Sequence, residues 1–266
     1  MNVAGLTAGR GFLDRNGINL LAVFDTHALA PELIAPLTAA GIDHAAFASL
    51  VLFGAGGRRF WDCLQDRLRV GDMHTDDPVD AFSAQLAQSF LAHYLGVTTW
   101  FQVYPGPIPV PLQKLGALAG WSHPSPLGVG IHPRFGTWFA YRGAYLIAGA
   151  LPATPWGTSE APCAACVGKP CVRACPVGAV RVGGRFELEA CIRQRLLPAS
   201  SCETRCLSRL ACPVGVAHRY TEEQLAYHGR RSIESIRRYS IRHFSIRPDA
   251  SGEDHPGSGL DDGAVG

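Results

Sequence analysis

Eight of the nine cysteines lie between residues 161 and 215, in an arrangement that suits iron–sulfur chemistry. The first set reads Cys163-x2-Cys166-x4-Cys171-x3-Cys175-Pro176, and the second is Cys191 followed by Cys202-x3-Cys206-x5-Cys212-Pro213. A [4Fe–4S] cluster needs four thiolates that converge on one small volume, and a tight cysteine-rich loop supplies several of them. The segment is therefore predicted to hold two [4Fe–4S] clusters and to move electrons.

This segment resembles the bacterial two-cluster ferredoxins, in which the cysteine before a proline ligates the other cluster. The resemblance implies one cluster on Cys163, Cys166, Cys171 and Cys212, and a second on Cys175, Cys191, Cys202 and Cys206. Two departures stand out: four residues rather than two separate Cys166 from Cys171, and the second set is stretched. Zinc is the alternative for sites of four cysteines. The repeat Ala-Cys-Pro-Val-Gly, at 174–178 and 211–215, favours iron–sulfur.

The bulk composition predicts a folded, cytoplasmic protein. Of the 266 residues, 47% are hydrophobic and 17% are charged, which excludes wholesale disorder. The net charge of +2 does not call for a nucleic-acid partner. The N-terminal residues do not read as a signal peptide, and no apolar run approaches the roughly 18 residues of a membrane helix. Because cytoplasmic thiols stay reduced, the cysteines are not expected to form disulfides. The ninth cysteine, Cys63, is expected to be a small buried apolar residue.

Hydrophobic periodicity predicts alternating strands and helices before the cysteines. Strands are expected at Leu20–Asp25, Ala46–Phe53 and Thr98–Tyr104, a strand or hairpin at Phe135–Ile147, and helices at Arg58–Val70 and Leu112–Leu118. Another helix should start with Asp77 as its cap and Pro78 in its first turn. Its apolar stripe would be Val79, Phe82, Leu86 and Phe90. The run Gly54–Gly57 should end the second strand, and it is too short to predict a phosphate loop.

A second resemblance concerns the rest of the chain. The runs His132-Pro-Arg-Phe-Gly136 and Trp138-Phe-Ala-Tyr-Arg-Gly143 resemble the CblC-type (MMACHC-like) cobalamin-processing proteins. Weaker matches are Arg219–Tyr227 and Leu115–Trp121. The resemblance implies a nitroreductase-like α/β domain that holds cobalamin base-off. The chain is also similar in plan to epoxyqueuosine reductases, which join a cobalamin domain to two clusters.

The same resemblance nominates the residues that would contact the corrin. They are His132, which is also the candidate catalytic residue, Arg134, Trp138, Tyr141, Arg142 and Arg219. Structural alternatives exist for several of them. His132 could be hydrogen-bonded within a turn, the arginines at 134 and 142 could brace a sheet edge, and Arg219 could be a surface residue at a helix start. Trp138 and Tyr141 differ in strand parity, so one should enter the pocket and one should point away. FMN is the alternative cofactor, because the parent fold holds a flavin.

These inferences define an α+β fold with an inserted two-cluster, ferredoxin-like module. The predicted divisions are a nitroreductase-like cobalamin domain at 1–157, the cluster module at 158–216, a helical segment at 217–248 that packs on the first domain, and a disordered tail at 249–266. Thr221-Glu-Glu-Gln224 would open that helical segment as a capping box.

Three functions follow as hypotheses. The leading one is an iron–sulfur, cobalamin-binding oxidoreductase that reduces a base-off corrinoid, with removal of an upper ligand, using an external low-potential donor of the ferredoxin or flavodoxin type. The second is a cobalamin-dependent reductase of another substrate, such as epoxyqueuosine in tRNA. Six arginines between Arg230 and Arg247 could then meet phosphates, although a solvated helix face is the simpler interpretation. The third is a non-enzymatic cobalamin carrier or ferredoxin-like electron-transfer protein. No membrane partner is expected.

Overall fold

The computed structural model describes residues 3–183 and 185–243. The helices are α1 Val3–Arg15, α2 Pro31–Ala39, α3 Arg59–Arg69, α4 Pro78–Ser89, α5 Leu112–Leu118, α6 Pro170–Arg173, α7 Leu188–Leu196, α8 Leu207–Leu210 and α9 Glu222–His243. The strands are β1 Leu20–Asp25, β2 Ser49–Gly56, β3 Trp100–Tyr104 and β4 Phe139–Ile147. In this part of the chain, no helix combines the length and the apolar composition needed to cross a membrane.

The four strands form one sheet in the order β1-β2-β4-β3. Every neighbouring pair in this sheet is antiparallel. Strand β2 and the second half of β4 are buried because helices cover both faces of the sheet. All eight residues of β2 are buried, so β2 reads as a continuous apolar run rather than an alternating one. The mixed helix-and-strand class predicted from the sequence is confirmed in this three-layer arrangement.

Two hydrophobic cores lie on opposite faces of the sheet. The first contains side chains of α1, α3 and α4, including the buried Phe82, Leu86 and Phe90, with Val79 packed against it. The apolar stripe predicted for α4 is thus confirmed. The second core contains side chains of α2 and α5, among them Leu115. Burial of this kind stabilises by about 25 cal/mol per Å² of apolar surface, so the two cores fix the sheet between its helices.

Two local predictions were wrong. The strand β2 continues through Gly54 and ends at Gly56, where a break was expected. A Cβ on Gly56 would lie 2.4–2.6 Å from the ring of Phe135, so the glycine admits that ring against the strand. The side chain of Asp77 makes no capping hydrogen bond to α4. It forms an ion pair with Arg231 of α9 instead.

A β-bulge in β4 decides which side chains face which core. Phe53 pairs with Gly143, but the next residue, Gly54, pairs with Tyr141, so Arg142 is the extra residue. Such a bulge reverses the alternation of side chains beyond it. Tyr141 therefore packs against the second core, whereas the guanidinium of Arg142 lies 4.6 Å from the ring centroid of Phe60 on the opposite face.

The described part of the cysteine segment consists of short helices joined by turns. α6 and α8 have four residues each, and α7 has nine. After it, the chain returns to the sheet layers through α9, whose Tyr227 packs against the first core. The Thr221 hydroxyl accepts a 3.2 Å hydrogen bond from the Gln224 amide, which is half of the predicted capping box. The predicted tail at 249–266 lies outside the described residues.

Candidate functional site

In the first predicted quartet, three cysteines lie close enough to Cys163 to affect the pKa of its thiol. Burial raises the pKa of the Cys163 thiol, and the nearby thiols of Cys212, Cys171 and Cys166 raise it further, while Lys169 opposes them. Burial also raises the pKa of the Cys171 thiol, and Cys212 and Cys166 raise it further. The Lys169 ammonium donates hydrogen bonds to the carbonyl oxygens of Cys163 and Cys166, the second at 3.0 Å. The loop thus carries its own cation beside four thiols.

The second predicted quartet forms a separate group. Burial raises the pKa of the Cys191 thiol, followed by the effects of Cys206, Cys175 and Cys202, while Arg195 lowers it. These four cysteines line one cavity of about 1060 Å³, which we call the cysteine cavity. Arg195 holds the surrounding loop by donating hydrogen bonds to the carbonyl oxygens of Cys202 at 3.2 Å and Glu203 at 2.9 Å.

Cys175 differs from the other cysteines in its hydrogen bonds. Burial alone would raise the pKa of its thiol. The amides of Val177, Val180 and Ala179 and the hydroxyl of Ser208 outweigh burial and lower the pKa. The Ala179 amide nitrogen lies 3.3 Å from the sulfur. Amide donors of this kind stabilise a thiolate, and in clusters they tune the reduction potential.

All nine cysteines are free thiols in the structure. Within residues 3–183 and 185–243, no three His, Cys, Asp or Glu side chains are arranged to hold a single metal ion. Cys63 is half-buried away from both quartets, and its Sγ lies 3.5 Å from the Arg15 carbonyl oxygen.

A second cavity of about 810 Å³ lies beside β4, and we call it the sheet cavity. Its apolar lining includes Val110, Leu112 and Phe139, and its polar lining includes Gln113 and Lys114. Tyr141 and Arg142, which the sequence predicted as cofactor contacts, also line it. The sheet cavity and the cysteine cavity share three lining residues: Val129, Arg209 and His228. The two cavities are therefore direct neighbours.

Sequence reasoning missed two of these shared residues. Arg209 of α8 donates a 2.6 Å hydrogen bond to the Thr137 carbonyl, and its guanidinium lies 4.4 Å from the ring centroid of Trp138. His228 of α9 has a pKa lowered to about 4 by burial and by the charges of Arg142 and Arg209. Neither residue lies in a recognisable motif. The nearest sequence feature was the weak resemblance over Arg219–Tyr227, which ends one residue before His228.

Two buried nitrogen atoms of residues that line the sheet cavity have no hydrogen-bond partner among the described residues. They are Nε of Arg142 and Nε2 of His228. An unpaired buried polar group costs about 1–3 kcal/mol. The sheet cavity is therefore suited to a ligand that presents hydrogen-bonding groups at its inner end and an apolar surface toward Val110 and Phe139.

His132 occupies the turn before β4 and does not line either cavity. Its Nδ1 accepts hydrogen bonds from the Arg134 amide at 3.0 Å and the Phe135 amide at 3.2 Å. Burial lowers its pKa to about 4, and Arg134, His123 and His218 contribute to the shift. Because Nδ1 accepts two backbone hydrogen bonds, the structure describes a neutral histidine that braces a turn, as in the simpler interpretation of the sequence.

Trp138 and Tyr141 lie in different environments, but Trp138 precedes β4 and each residue lines a cavity, so the prediction that one of them points away from the pocket stays a prediction. Trp138 is fully buried, lines the cysteine cavity, and its indole Nε1 has no partner among the described residues. Tyr141 lines the sheet cavity. Burial raises the pKa of the Tyr141 phenol, and the Ser122 hydroxyl opposes that shift.

The two other predicted contacts do not line either cavity. Arg134 is exposed, and its guanidinium lies 5.1 Å from the ring centroid of Phe135. Arg219 donates hydrogen bonds through Nη2 to the carbonyl oxygens of Leu210 at 2.6 Å and Cys212 at 3.4 Å. Arg219 therefore ties down the turn that carries Cys212.

Part of the basic stretch on α9 is engaged within the chain. Arg231 pairs with Asp77, and Arg237 lies 3.9 Å from a carboxylate oxygen of Glu203. Arg230 and Arg238 are exposed. Nothing is described for the side chain of Arg242, and Arg247 lies outside the described residues.

Comparisons with known proteins find structural likeness only. Neither a scan against protein-family models nor a search of the curated proteins gives a match. Among solved structures, the chain is similar to epoxyqueuosine reductase with an epoxyqueuosine-modified tRNA-Tyr stem loop, at a TM-score of 0.51 and 12% identity over 85% of this chain and 69% of that one. It is also similar to the C. elegans B12-trafficking protein CblC, at a TM-score of 0.48 and 12% identity over 92% of this chain and 100% of that one.

A further neighbour is the Streptococcus thermophilus epoxyqueuosine reductase, at a TM-score of 0.47 and 10% identity over 81% of this chain and 67% of that one. Both families that the sequence resembles are thus among its structural neighbours. Because the sequence identity is only 12%, the similarity at a TM-score of 0.51 shows a shared fold and nothing more.

Proposed function

We propose that this chain is an iron–sulfur oxidoreductase that binds a base-off corrinoid of the cobalamin type in the sheet cavity and reduces it. The eight cysteines would hold two [4Fe–4S] clusters, and removal of the corrinoid's upper ligand would follow from reduction. The observation that carries the proposal is the junction between the two cavities. The cavity lined by Cys175, Cys191, Cys202 and Cys206 shares Val129, Arg209 and His228 with the sheet cavity.

The donor set fits the proposed clusters. Each quartet is a group of four thiols, and each has a nearby cation, Lys169 in the first and Arg195 in the second. When bound, a [4Fe–4S] cluster stores and transfers single electrons at potentials as low as about −700 mV. The cations offset the negative charge of four thiolates, and the amides around Cys175 supply the hydrogen bonds that such sites require.

The lining of the sheet cavity fits a corrinoid substrate in its chemistry. A corrinoid combines an apolar macrocycle with peripheral amides, and the cavity offers apolar side chains together with Gln113, Lys114 and Arg142. The buried Nε of Arg142 and Nε2 of His228 would gain partners from such a ligand. Arg209, held by Thr137, would keep the junction ordered and positively charged. FMN is the alternative cofactor for the same cavity.

The test is anaerobic reconstitution of the full chain with iron and sulfide. We expect about eight irons and eight acid-labile sulfides per chain. Addition of cobalamin should then give a base-off absorbance spectrum, and a low-potential donor should convert it to that of the reduced corrinoid. The variant Cys191→Ser should still bind cobalamin but reduce it far more slowly. Protein that holds one zinc and no labile sulfide, or that leaves cobalamin unchanged, would contradict the proposal.

A second candidate is a cobalamin-dependent reductase of another substrate, such as epoxyqueuosine in tRNA. The likeness to the tRNA-bound epoxyqueuosine reductase, at a TM-score of 0.51, favours it at the level of the fold. The engagement of Arg231 and Arg237 with Asp77 and Glu203 speaks against a free phosphate-binding stripe on α9. A gel-shift titration with tRNA tests this second candidate, because phosphate contacts weaken steeply as salt rises. A salt-dependent shift would support it, and no binding at low salt would exclude it. Single-turnover product analysis separates both reductases from a carrier or a plain electron-transfer protein.

A further inference from the structure

Two basic side chains from distant parts of the chain, Arg134 and His218, contact the ring of Phe135, and Arg58 lies near His218. The His218 imidazole stands edge-on to that ring at 4.7 Å between centroids. The Arg134 guanidinium lies 5.1 Å from the same ring. Arg58 follows Gly57, where a Cβ would lie 3.5 Å from Nδ1 of His218. We call Arg58, Arg134 and His218, with the exposed Val216 of the same turn as His218, the basic face.

The charges of the basic face are not neutralised within the described residues. Neither Arg58 nor Arg134 forms an ion pair there. Burial lowers the pKa of His218, and the charges of Arg134 and Arg58 lower it further, so both guanidinium groups lie near this imidazole. Both arginines are exposed. Two unpaired guanidinium groups on either side of one imidazole create a positive surface potential that attracts anionic partners.

The basic face is joined directly to the turn that follows Cys212. A Cβ on Gly136 would lie 2.1 Å from the Val214 carbonyl oxygen, and a Cβ on Gly215 would lie 2.4 Å from the Phe135 carbonyl. The two turns therefore meet backbone against backbone. Arg219 adds a side-chain tie to the Cys212 carbonyl oxygen at 3.4 Å. A partner seated on the basic face would contact the same rigid unit that positions Cys212.

We infer that the basic face is the docking surface for an acidic, low-potential electron-transfer protein. The inference rests on the proposed function and names the partner that supplies its electrons. In each encounter the donor protein would lose one electron and this chain would gain one, with no bond formed and no proton moved. Val216, which is 49% exposed, offers a small apolar contact beside the cations. Redox encounters use small interfaces of this kind, in which charge steers association.

A nucleic-acid partner fits this surface less well. The basic face is compact and includes an exposed apolar side chain, whereas a nucleic acid needs an extended row of cations along its backbone. The longer series of arginines on α9 is partly neutralised by ion pairs of Arg231 and Arg237 within the chain. Charge complementarity over a short patch therefore favours carboxylates on a folded protein.

The experiment compares the reconstituted full chain with Arg58→Glu/Arg134→Glu and with the matched control Arg230→Glu/Arg238→Glu, which makes the same charge change at exposed positions of α9. Anaerobic stopped-flow mixing with a reduced acidic ferredoxin measures the second-order rate of cluster reduction at low and high salt. Calorimetry with the oxidised ferredoxin measures binding without electron transfer. Titanium(III) citrate, a small-molecule reductant, serves as the donor that needs no docking.

The first variant should lose tenfold or more of the protein-driven rate at low salt, roughly the lower end of electrostatic steering effects. Its binding heat should disappear, its rate with titanium citrate should stay unchanged, and the control should behave like the parent chain. Equal losses in both double variants, or tRNA binding lost only from the first, would overturn the docking assignment. Clusters that neither reductant can reduce would instead contradict the proposed function.

Discussion

Two glycines in the repeated Ala-Cys-Pro-Val-Gly motif provide a matched test of how the cysteine segment is seated. Gly178 and Gly215 end the two copies and have similar backbone angles, with φ of +63° and +70°. A Cβ on Gly178 would meet nothing within 4 Å. A Cβ on Gly215 would lie 2.4 Å from both the carbonyl carbon and the carbonyl oxygen of Phe135. Alanine at Gly178 therefore reports only the free-energy cost of the left-handed backbone, whereas alanine at Gly215 reports that cost together with the steric contact.

The magnitudes follow from these geometries. An alanine in the left-handed region costs about 1–2 kcal/mol, and Gly178→Ala should cost only that amount. Gly215→Ala carries the same backbone cost, and it must also push the turn at Phe135 away. Forcing an extra methyl into packed structure typically costs about 1–3 kcal/mol more. For a chain of 266 residues, that difference corresponds to a further fall in Tm of roughly 2–5 °C.

Thermal unfolding of the two reconstituted variants gives the comparison, and hydrogen exchange locates the effect. The amides of His132 and Gly136 hydrogen-bond to each other's carbonyl oxygens at 2.8 and 2.9 Å. Protection of these two amides should fall in Gly215→Ala and stay unchanged in Gly178→Ala. Equal destabilisation by the two substitutions, with equal protection, would refute the idea that the Gly215 turn is fixed against the sheet domain.

Three further predictions concern the sites themselves. Cys191→Ser should lower iron from about eight to about four per chain, whereas Cys63→Ser should leave it unchanged; iron analysis would contradict this if both lost the same amount. Arg142→Gln should weaken cobalamin binding about tenfold or more, the loss expected for a hydrogen bond from a charged group, while Arg230→Gln should have no effect in an absorbance titration. The pKa of His132 is lowered from 6.5 to about 4, so its contribution to stability is complete above pH 6.5 and is lost as the pH falls toward 4. Denaturant unfolding at several pH values in that range gives the free energy of unfolding as a function of pH. This free energy should change less steeply with pH in His132→Asn than in the parent chain. An equally steep change in both would argue against a buried neutral histidine.

Much of the secondary structure was predictable because its causes are local. The strand Leu20–Asp25 and the helix Leu112–Leu118 have the predicted bounds. Periodicity and a proline in the first helical turn act within a few residues, so they can be read without knowing the rest of the chain. The end of β2 was misread because Gly56 faces the ring of Phe135, which is distant in sequence.

The candidate site divides in the same way. The sequence by itself determined which thiols are available and at what spacing, because eight cysteines and two Cys-Pro pairs are facts of the chain. It also determined that Tyr141 and Arg142 belong to a strand. Only the tertiary structure decided which face each of them takes, because the bulge at Arg142 places Tyr141 with the second core and Arg142 over the ring of Phe60.

The tertiary structure likewise decided that Arg209 and His228, from two separate helices, meet between the two cavities. The physical reason is that a one-residue register shift or a contact between remote segments depends on how whole layers pack. The pattern of residues within either segment does not encode that packing.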